Sequence, residues 1–182
     1  MSRTLALRTI AITTAFAAIQ VALILAGPSS VPLPTGLNVT ILAIPTILAG
    51  VLAGVLGGGV VGLVFGVTSL AVSTTPLFRD PVVALVPRIL VGIVAALVFR
   101  YSRSINEVVA LALAGATGAL VNTGVVLAFA AVLIGPTGAP YLPPDAASDV
   151  ARANIPSEAL LAMLLTIAGG LAARAARLLL KR

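Results

Sequence analysis

Six long apolar runs constrain this chain more than any other feature of its sequence. An α-helix rises about 1.5 Å per residue, so about 20 apolar residues cross the hydrocarbon core of a bilayer. The runs predict membrane helices at roughly residues 4–27, 38–56, 58–73, 81–99, 107–134 and 155–180. We therefore expect an all-α integral membrane protein, a compact six-transmembrane-helix bundle that forms one domain over residues 1–182.

The composition supports a lipid environment. Of the 182 residues, 60% are hydrophobic and 9% are charged. Soluble domains carry about 25% charged residues, and disordered chains carry few apolar residues. Neither class fits this chain, because so few charges cannot cover a surface that faces water.

The basic residues predict the orientation of the bundle. Six crossings place both termini on one side, and eight of the 11 basic residues fall there. These eight are Arg3, Arg8, Arg100, Arg103, Arg174, Arg177, Lys181 and Arg182. Cytoplasmic loops carry an excess of Lys and Arg, so we expect both termini in the cytoplasm. The net charge of +6 is then a topology signal and a contact for anionic lipid head groups, and nucleic acid is not an expected partner.

Arg88 is the clearest polar residue inside a predicted span, roughly 9 Å from its outer end by helical rise. An arginine near the middle of a membrane helix costs about 2.5–3.5 kcal/mol on insertion scales. Pro87 precedes it and frees the carbonyl of Val83 from helical hydrogen bonding. A kinked helix with a buried cation predicts the edge of a cavity, where a guanidinium favours a carboxylate or phosphate ligand.

Asn122 lies at a comparable depth on the fifth predicted helix, about 10 Å from the outer face. Other polar residues also fall in the outer halves or at the outer ends of their spans. The candidate substrate-binding residues are Arg88, Asn122, Asn38, Thr40, Thr68, Ser69, Asp80 and Glu158. This asymmetry predicts a pocket that opens to the exterior. Two structural roles remain as alternatives: Arg88 snorkels and pairs with Asp80 or Glu158, and Asn122 clamps two helices.

Small residues recur at every fourth position on several predicted helices. Ala11 and Ala15 on the first helix show this spacing, as do Gly58, Gly62 and Gly66 on the third. Such faces let helix backbones approach closely in a membrane. They predict packing within the bundle, and the alternative is that Ala11 and Ala15 dock a partner membrane protein.

The sequence lacks the residues of most catalytic and metal sites. Cys and His are absent, which removes thiol nucleophiles, the usual proton shuttle and the common zinc ligands. No GxxxxGK[ST] phosphate loop is present, and the single lysine is Lys181. We therefore expect no enzyme activity, no metal site, no cofactor and no ATP hydrolysis by this chain.

Four segments together form a recognisable set: residues 38–45 (NVTILAIP), 65–70 (FGVTSL), 80–92 (DPVVALVPRILVG) and 121–123 (VNT). With them the chain resembles the substrate-binding S components of energy-coupling-factor (ECF) vitamin transporters, most strongly over residues 5–134. The resemblance implies a six-helix protein of the prokaryotic plasma membrane that captures a vitamin from outside. It also implies that a T component and two ATPase subunits drive release inward, with Ala11 and Ala15 contacting the T component.

The Pro87-Arg88 and Asn122-Thr123 elements look most like the pantothenate-type subgroup of that family. The resemblance implies that Arg88 binds the pantothenate carboxylate and that Asn122 binds its amide or hydroxyl groups. Residues 37–40 are Leu-Asn-Val-Thr where many relatives carry Thr-His-Met-Thr, so riboflavin, folate-like or cobalamin ligands stay open.

Two other functions remain as alternatives. A stand-alone channel or secondary carrier for a small anionic solute needs a polar path through the inner leaflet and ion coupling, and the sequence shows neither. A structural membrane scaffold would assemble other subunits through its small-residue faces and would bind no ligand.

Overall fold

The computed structural model of the chain describes residues 3–27, 30–32 and 38–179. The helices in this part are α1 (Arg3–Leu25), α2 (Ile44–Val72), α3 (Pro76–Arg79), α4 (Pro81–Ser102), α5 (Glu107–Val132) and α6 (Pro144–Leu179). Two short strands, β1 (Ser30–Pro32) and β2 (Asn38–Thr40), pair antiparallel. Among the described residues, α1, α2, α4, α5 and α6 are long and apolar enough to cross a membrane. The chain is a predominantly helical, multi-pass membrane protein.

Side-chain caps begin α4 and α5. The carboxylate of Asp80 accepts a hydrogen bond from the backbone N–H of Val82 at 2.9 Å at the start of α4. The amide oxygen of Asn106 accepts one from the N–H of Val108 at 2.8 Å at the start of α5. The first N–H groups of a helix have no helical partner, so a capping side chain fixes where the helix begins. Both starts are therefore encoded locally, and both lie where the sequence predicts them.

The region after α1 differs from the predicted pair of helices at 38–56 and 58–73. Residues 38–40 form β2, whose backbone pairs with β1, so they are not part of a helix. Helix α2 begins later, at Ile44, where Pro45 fits the first turn because its missing N–H is not needed there. The element then continues to Val72, so the described residues include five helices that are long and apolar enough to cross a membrane, and the predicted count of six is not confirmed.

Helix α2 is nevertheless broken at Gly54, whose φ of 79° and ψ of −171° are not helical. A Cβ built on Gly58 would lie 2.8 Å from the Cα of Gly50, a separation that a straight helix would make about 12 Å. The chain therefore reverses at Gly54 and forms two arms that lie against each other. A tight helical hairpin is predicted here with its turn at residues 57–59, but the turn lies at Gly54, where a positive φ requires glycine.

Glycines bring α2 directly onto the backbone of α4. A Cβ on Gly92 would lie 2.1 Å from the carbonyl oxygen of Gly58, and one on Gly62 would lie 2.2 Å from that of Arg88. These distances leave no room for a side chain, so glycine sets the separation of the two helices. The predicted small-residue face of Gly58, Gly62 and Gly66 is thus a packing face, and it fixes the backbone of Arg88 against α2.

Helix α6 begins at Pro144, well before the predicted start at residue 155. Residues 144–154 include the charged Asp145, Asp149 and Arg152, so a hydropathy criterion assigns them to a loop. A helix requires only satisfied backbone groups, and a proline is well suited to its first turn. The polar first turns of α6 therefore extend the helix beyond its apolar span.

Helix α1 is the most exposed of the five long helices. In the most apolar 18-residue stretch of α1, 6% of the residues are buried. Gln20 is the exception: it is fully buried, and its side-chain oxygen accepts a hydrogen bond from the hydroxyl of Thr46 at 3.2 Å. Ala11 and Ala15 lie on the exposed face of α1, so the described part of the chain does not use them for its own packing.

Candidate functional site

A cavity of about 670 Å³ lies at the end of the bundle where α4 begins. Ligand pockets in proteins are typically about 300–1,000 Å³, so this volume suits a small organic molecule. Its polar lining includes Ser69, Arg88, Asn122, Thr123 and Glu158. Three helices, α4, α5 and α6, contribute the charged and amide side chains, which are distant in the sequence and meet only in the folded chain.

The position of the Arg88 guanidinium follows from its neighbour Pro87. Proline has no backbone N–H, so the carbonyl of Val83 has no helical donor. Nη1 of Arg88 donates to that carbonyl oxygen at 2.6 Å. The proline therefore creates an acceptor inside the membrane span, and the adjacent arginine satisfies it, which holds the guanidinium beside its own helix at the cavity wall.

Two aromatic rings flank the same guanidinium. Its Cζ atom lies 5.3 Å from the ring centroid of Phe65 and 4.9 Å from that of Phe78. The faces of aromatic rings attract cations, and more strongly where water is excluded. Arg88 is 6% exposed, so these contacts replace much of the hydration that it loses. They orient the charge without neutralising it.

Arg88 has no acidic partner within ion-pair distance among the residues that the structure describes. Its Nε atom is buried and has no hydrogen-bond acceptor in the described ranges. A buried charge without a counter-charge is costly, and one partner-free N–H adds to that cost. An anion that enters the cavity would supply both the missing charge and the missing acceptor.

The amide of Asn122 is the second underused group. The residue is 6% exposed, and its Oδ1 atom is buried without a donor in the described part of the chain. A clamp between two helices requires a hydrogen bond from the amide to a group on the second helix, and the described residues show none for the Asn122 side chain. Asn122 therefore lines the cavity with a hydrogen-bonding group that a ligand can use.

Glu158 supplies a negative charge to the same cavity. The hydroxyl of Thr123 donates a hydrogen bond to Oε2 of Glu158, which joins α5 to α6. Glu158 is 7% exposed, so its carboxylate is also largely removed from water. The cavity thus combines a cation, a carboxylate and an amide, and it can recognise a ligand that carries both an anionic group and hydrogen-bond donors.

Two predicted binding residues, Asp80 and Thr68, make other contacts, and two more cannot be placed by their side chains. The carboxylate of Asp80 caps α4 and does not line the cavity. The Thr68 hydroxyl donates to the carbonyl of Val64 at 2.8 Å within its own helix, as membrane threonines often do. Asn38 and Thr40 belong to β2 rather than to a helix, and their side chains lie outside the described part. The alternative pairs Arg88 with Asp80 or Glu158, and neither ion pair is found among the residues that the structure describes.

Sequence reasoning missed the two rings and Thr123 as lining residues. The chain has five phenylalanines, and two of them, Phe65 and Phe78, flank the buried Arg88. Phenylalanine is rare in this chain, and Phe65 falls within the 65–70 segment. The sequence therefore contains enough information to propose Phe65 as a lining residue. Phe78 lies on the short α3, and no local pattern indicates that α3 folds over Arg88.

The described residues contain no cluster of three or more His, Cys, Asp or Glu side chains that could hold a metal ion. The comparison with curated proteins gave no significant match. A family model described as "ECF transporter, substrate-specific component" matches residues 6–171, which is most of the chain. The chain therefore belongs to the family of ECF transporter substrate-specific components, which are substrate-binding subunits of transporters and not enzymes.

Proposed function

We propose that this chain captures a carboxylate-bearing vitamin, with pantothenate favoured, in the cavity beside Arg88. The observation that carries the proposal is a guanidinium that is 6% exposed, lines the cavity and has no described acidic partner. Guanidinium and carboxylate groups form paired, charge-assisted hydrogen bonds. The Nε of Arg88, which has no acceptor within the described part of the chain, is one of the donors that such a pair needs.

The other polar groups fit the rest of such a molecule. Pantothenate carries an amide and two hydroxyl groups besides its carboxylate. Asn122 can exchange hydrogen bonds with the amide, and Glu158 can accept one from a hydroxyl. Both side chains line the same cavity as Arg88. Riboflavin and other vitamins remain candidates, since these contacts select hydrogen-bonding groups rather than one unique molecule.

In this proposal the chain has six membrane crossings, with both termini on the cytoplasmic side of a prokaryotic plasma membrane. The reversal of α2 at Gly54 supports the additional crossing, although the first arm, residues 44–53, measures only about 15 Å. A T component docks on α1 through Ala11 and Ala15, and two ATPases power release. The exposure of both alanines supports this docking.

A channel or carrier for a small anion is the second candidate. It requires a polar path that continues below the cavity. The core between the two ends of the bundle is instead apolar and closely packed: Ile47, Val91 and Leu111 are each at most 1% exposed. This packing favours a capture subunit that needs partners for release.

Ligand binding to the purified chain tests the proposal. Titration calorimetry with pantothenate, riboflavin, folate and cobalamin should identify one tight ligand. We expect Arg88→Gln to weaken carboxylate binding about 100-fold, because a buried charge pair is lost. The matched control is Arg152→Gln, since Arg152 is an exposed arginine that pairs with Asp149 outside the cavity. The affinity of this variant for the vitamin should change less than twofold.

Three outcomes would contradict the proposal. Unchanged affinity in Arg88→Gln would remove Arg88 from the site. The absence of any bound or co-purified vitamin would favour a scaffold. Net uptake into proteoliposomes that contain only this chain would favour a channel or carrier.

A further inference from the structure

A second pocket, of about 570 Å³, lies at the opposite end of the bundle. Four arginines line it: Arg8 on α1, Arg103 at the end of α4, and Arg174 and Arg177 on α6. They come from three helices that are far apart in the sequence. Their convergence on one concave surface is therefore a property of the fold and not of a basic run in the chain.

The pocket carries excess positive charge. Glu107 is the one acidic residue among those that line it, and Nη1 of Arg174 donates to its carboxylate. Arg8, Arg103 and Arg177 form no ion pair within the described residues. Arg177 lies near enough to both Arg8 and Glu107 for their charges to interact, so the single carboxylate is shared by more than one arginine. Three such cations around a concavity create a positive potential that attracts an anion.

The wall below the arginines is apolar. Val51, Leu52, Phe99 and Leu111 line the same pocket. The pocket lies at the ends of the membrane-spanning helices, where lipid head groups meet their acyl chains. A free phosphate would use the arginines alone, whereas an amphiphile with an anionic head would also cover the apolar wall.

From this combination we infer that the pocket binds the head group of an anionic phospholipid, with its phosphate among Arg8, Arg103 and Arg177. This inference is independent of the vitamin proposal, because none of these residues lines the other cavity. It differs from a general attraction to an anionic membrane, because it requires one lipid at one place. Bound lipid at this position would join α1 to α4 and α6.

Native mass spectrometry of the full chain, released from a neutral detergent, tests the inference. The probes are phosphatidylglycerol and phosphatidylcholine with identical acyl chains, supplied in equal amounts. We expect one retained phosphatidylglycerol and no comparable retention of phosphatidylcholine. Arg103→Gln and Arg177→Gln should each weaken this binding about fivefold, the contribution of one basic residue near an anionic surface.

Arg100→Gln is the matched control, because Arg100 is exposed on the last turns of α4 and does not line the pocket. Its effect should be less than twofold. Should either pocket variant fail to fold, the other still tests the site, and Arg103→Lys should retain most of the affinity. Vitamin binding should be unchanged in all of them.

Specific outcomes would overturn the inference. An equal loss in Arg100→Gln would mean that diffuse surface charge attracts the lipid. Equal retention of phosphatidylcholine would mean that the apolar wall binds any lipid. Full competition by millimolar inorganic phosphate or glycerol phosphate would make the occupant a soluble anion.

Discussion

The two ends of the bundle use arginine in opposite ways. At one end, Arg88 is 6% exposed, lies between two phenylalanine rings and has no described acidic partner. At the other end, the Arg174 side chain is 60% exposed and pairs with Glu107. The end that carries Arg174, which we call the basic end, holds more charges. The charge of Arg88, at the cavity end, nevertheless costs more free energy to bury. A cation that is buried without a counter-charge indicates a ligand-binding position more clearly than the number of charges does.

The hydrogen-bonding partners differ in the same way. At the cavity end, Arg88, Asn122 and Glu158 are all at most 7% exposed. Arg88 and Asn122 each have a side-chain atom without a hydrogen-bond partner among the described residues. At the basic end, water can solvate each guanidinium directly. The contrast predicts large, ligand-dependent effects for substitutions in the cavity and small, salt-dependent effects for those at the basic end.

The largest expected effect comes from Arg88→Gln, which separates binding from stability. Ligand affinity should fall about 100-fold, while the melting temperature without ligand should not fall, because an uncompensated buried charge is removed. The glutamine amide can still donate to the Val83 carbonyl. Thermal unfolding with and without the vitamin measures both quantities. A clear loss of stability without ligand would show that Arg88 has a structural role and would contradict this prediction.

The second effect concerns the Thr123–Glu158 hydrogen bond. Thr123→Val keeps the side-chain shape but removes the donor to the carboxylate. A hydrogen bond to a charged group contributes about 1.5–3 kcal/mol, so the unfolding free energy should fall by about 2 kcal/mol. Thr123→Ser is the control, since it keeps the hydroxyl. Equal stability of the Val and Ser variants would contradict this role.

Phe78→Ala tests the ring that α3 places over Arg88. Cation–π contacts contribute about 0.5–2 kcal/mol, so we expect affinity for the vitamin to fall roughly tenfold as the guanidinium gains water and loses orientation. Phe78→Tyr should restore most of the affinity. Phe65 is less informative, because it is 2% exposed and its truncation would disturb the core. Calorimetry gives the ratio directly.

The smallest effect is expected at the basic end. Arg174→Gln should lower the unfolding free energy by at most about 1 kcal/mol, since its pair with Glu107 is largely exposed. The loss should shrink further at high salt, and vitamin affinity should not change. A salt-insensitive loss of several kcal/mol would break the contrast between the two ends.

The local features of the fold were accessible from the sequence. Asp80 and Asn106 cap the helices that follow them, and Pro87 frees one known carbonyl. These interactions span at most a few residues, so a residue pattern determines them. The sequence predicts the start of α2 and the position of its turn incorrectly. The actual positions depend on the pairing of β1 with β2 and on the close approach of α2 to α4, which involve residues far along the chain.

The sequence by itself determined that this is a membrane protein and that Arg88 and Asn122 are polar groups within its spans. It also determined that the backbone carbonyl of Val83 has no helical N–H donor. Only the tertiary structure decided which residues meet. It placed Phe78 over the guanidinium, joined Thr123 to Glu158 and left Asp80 as a cap. Hydropathy and helix caps act over one or a few turns, whereas the content of a cavity depends on how whole helices are rotated and packed.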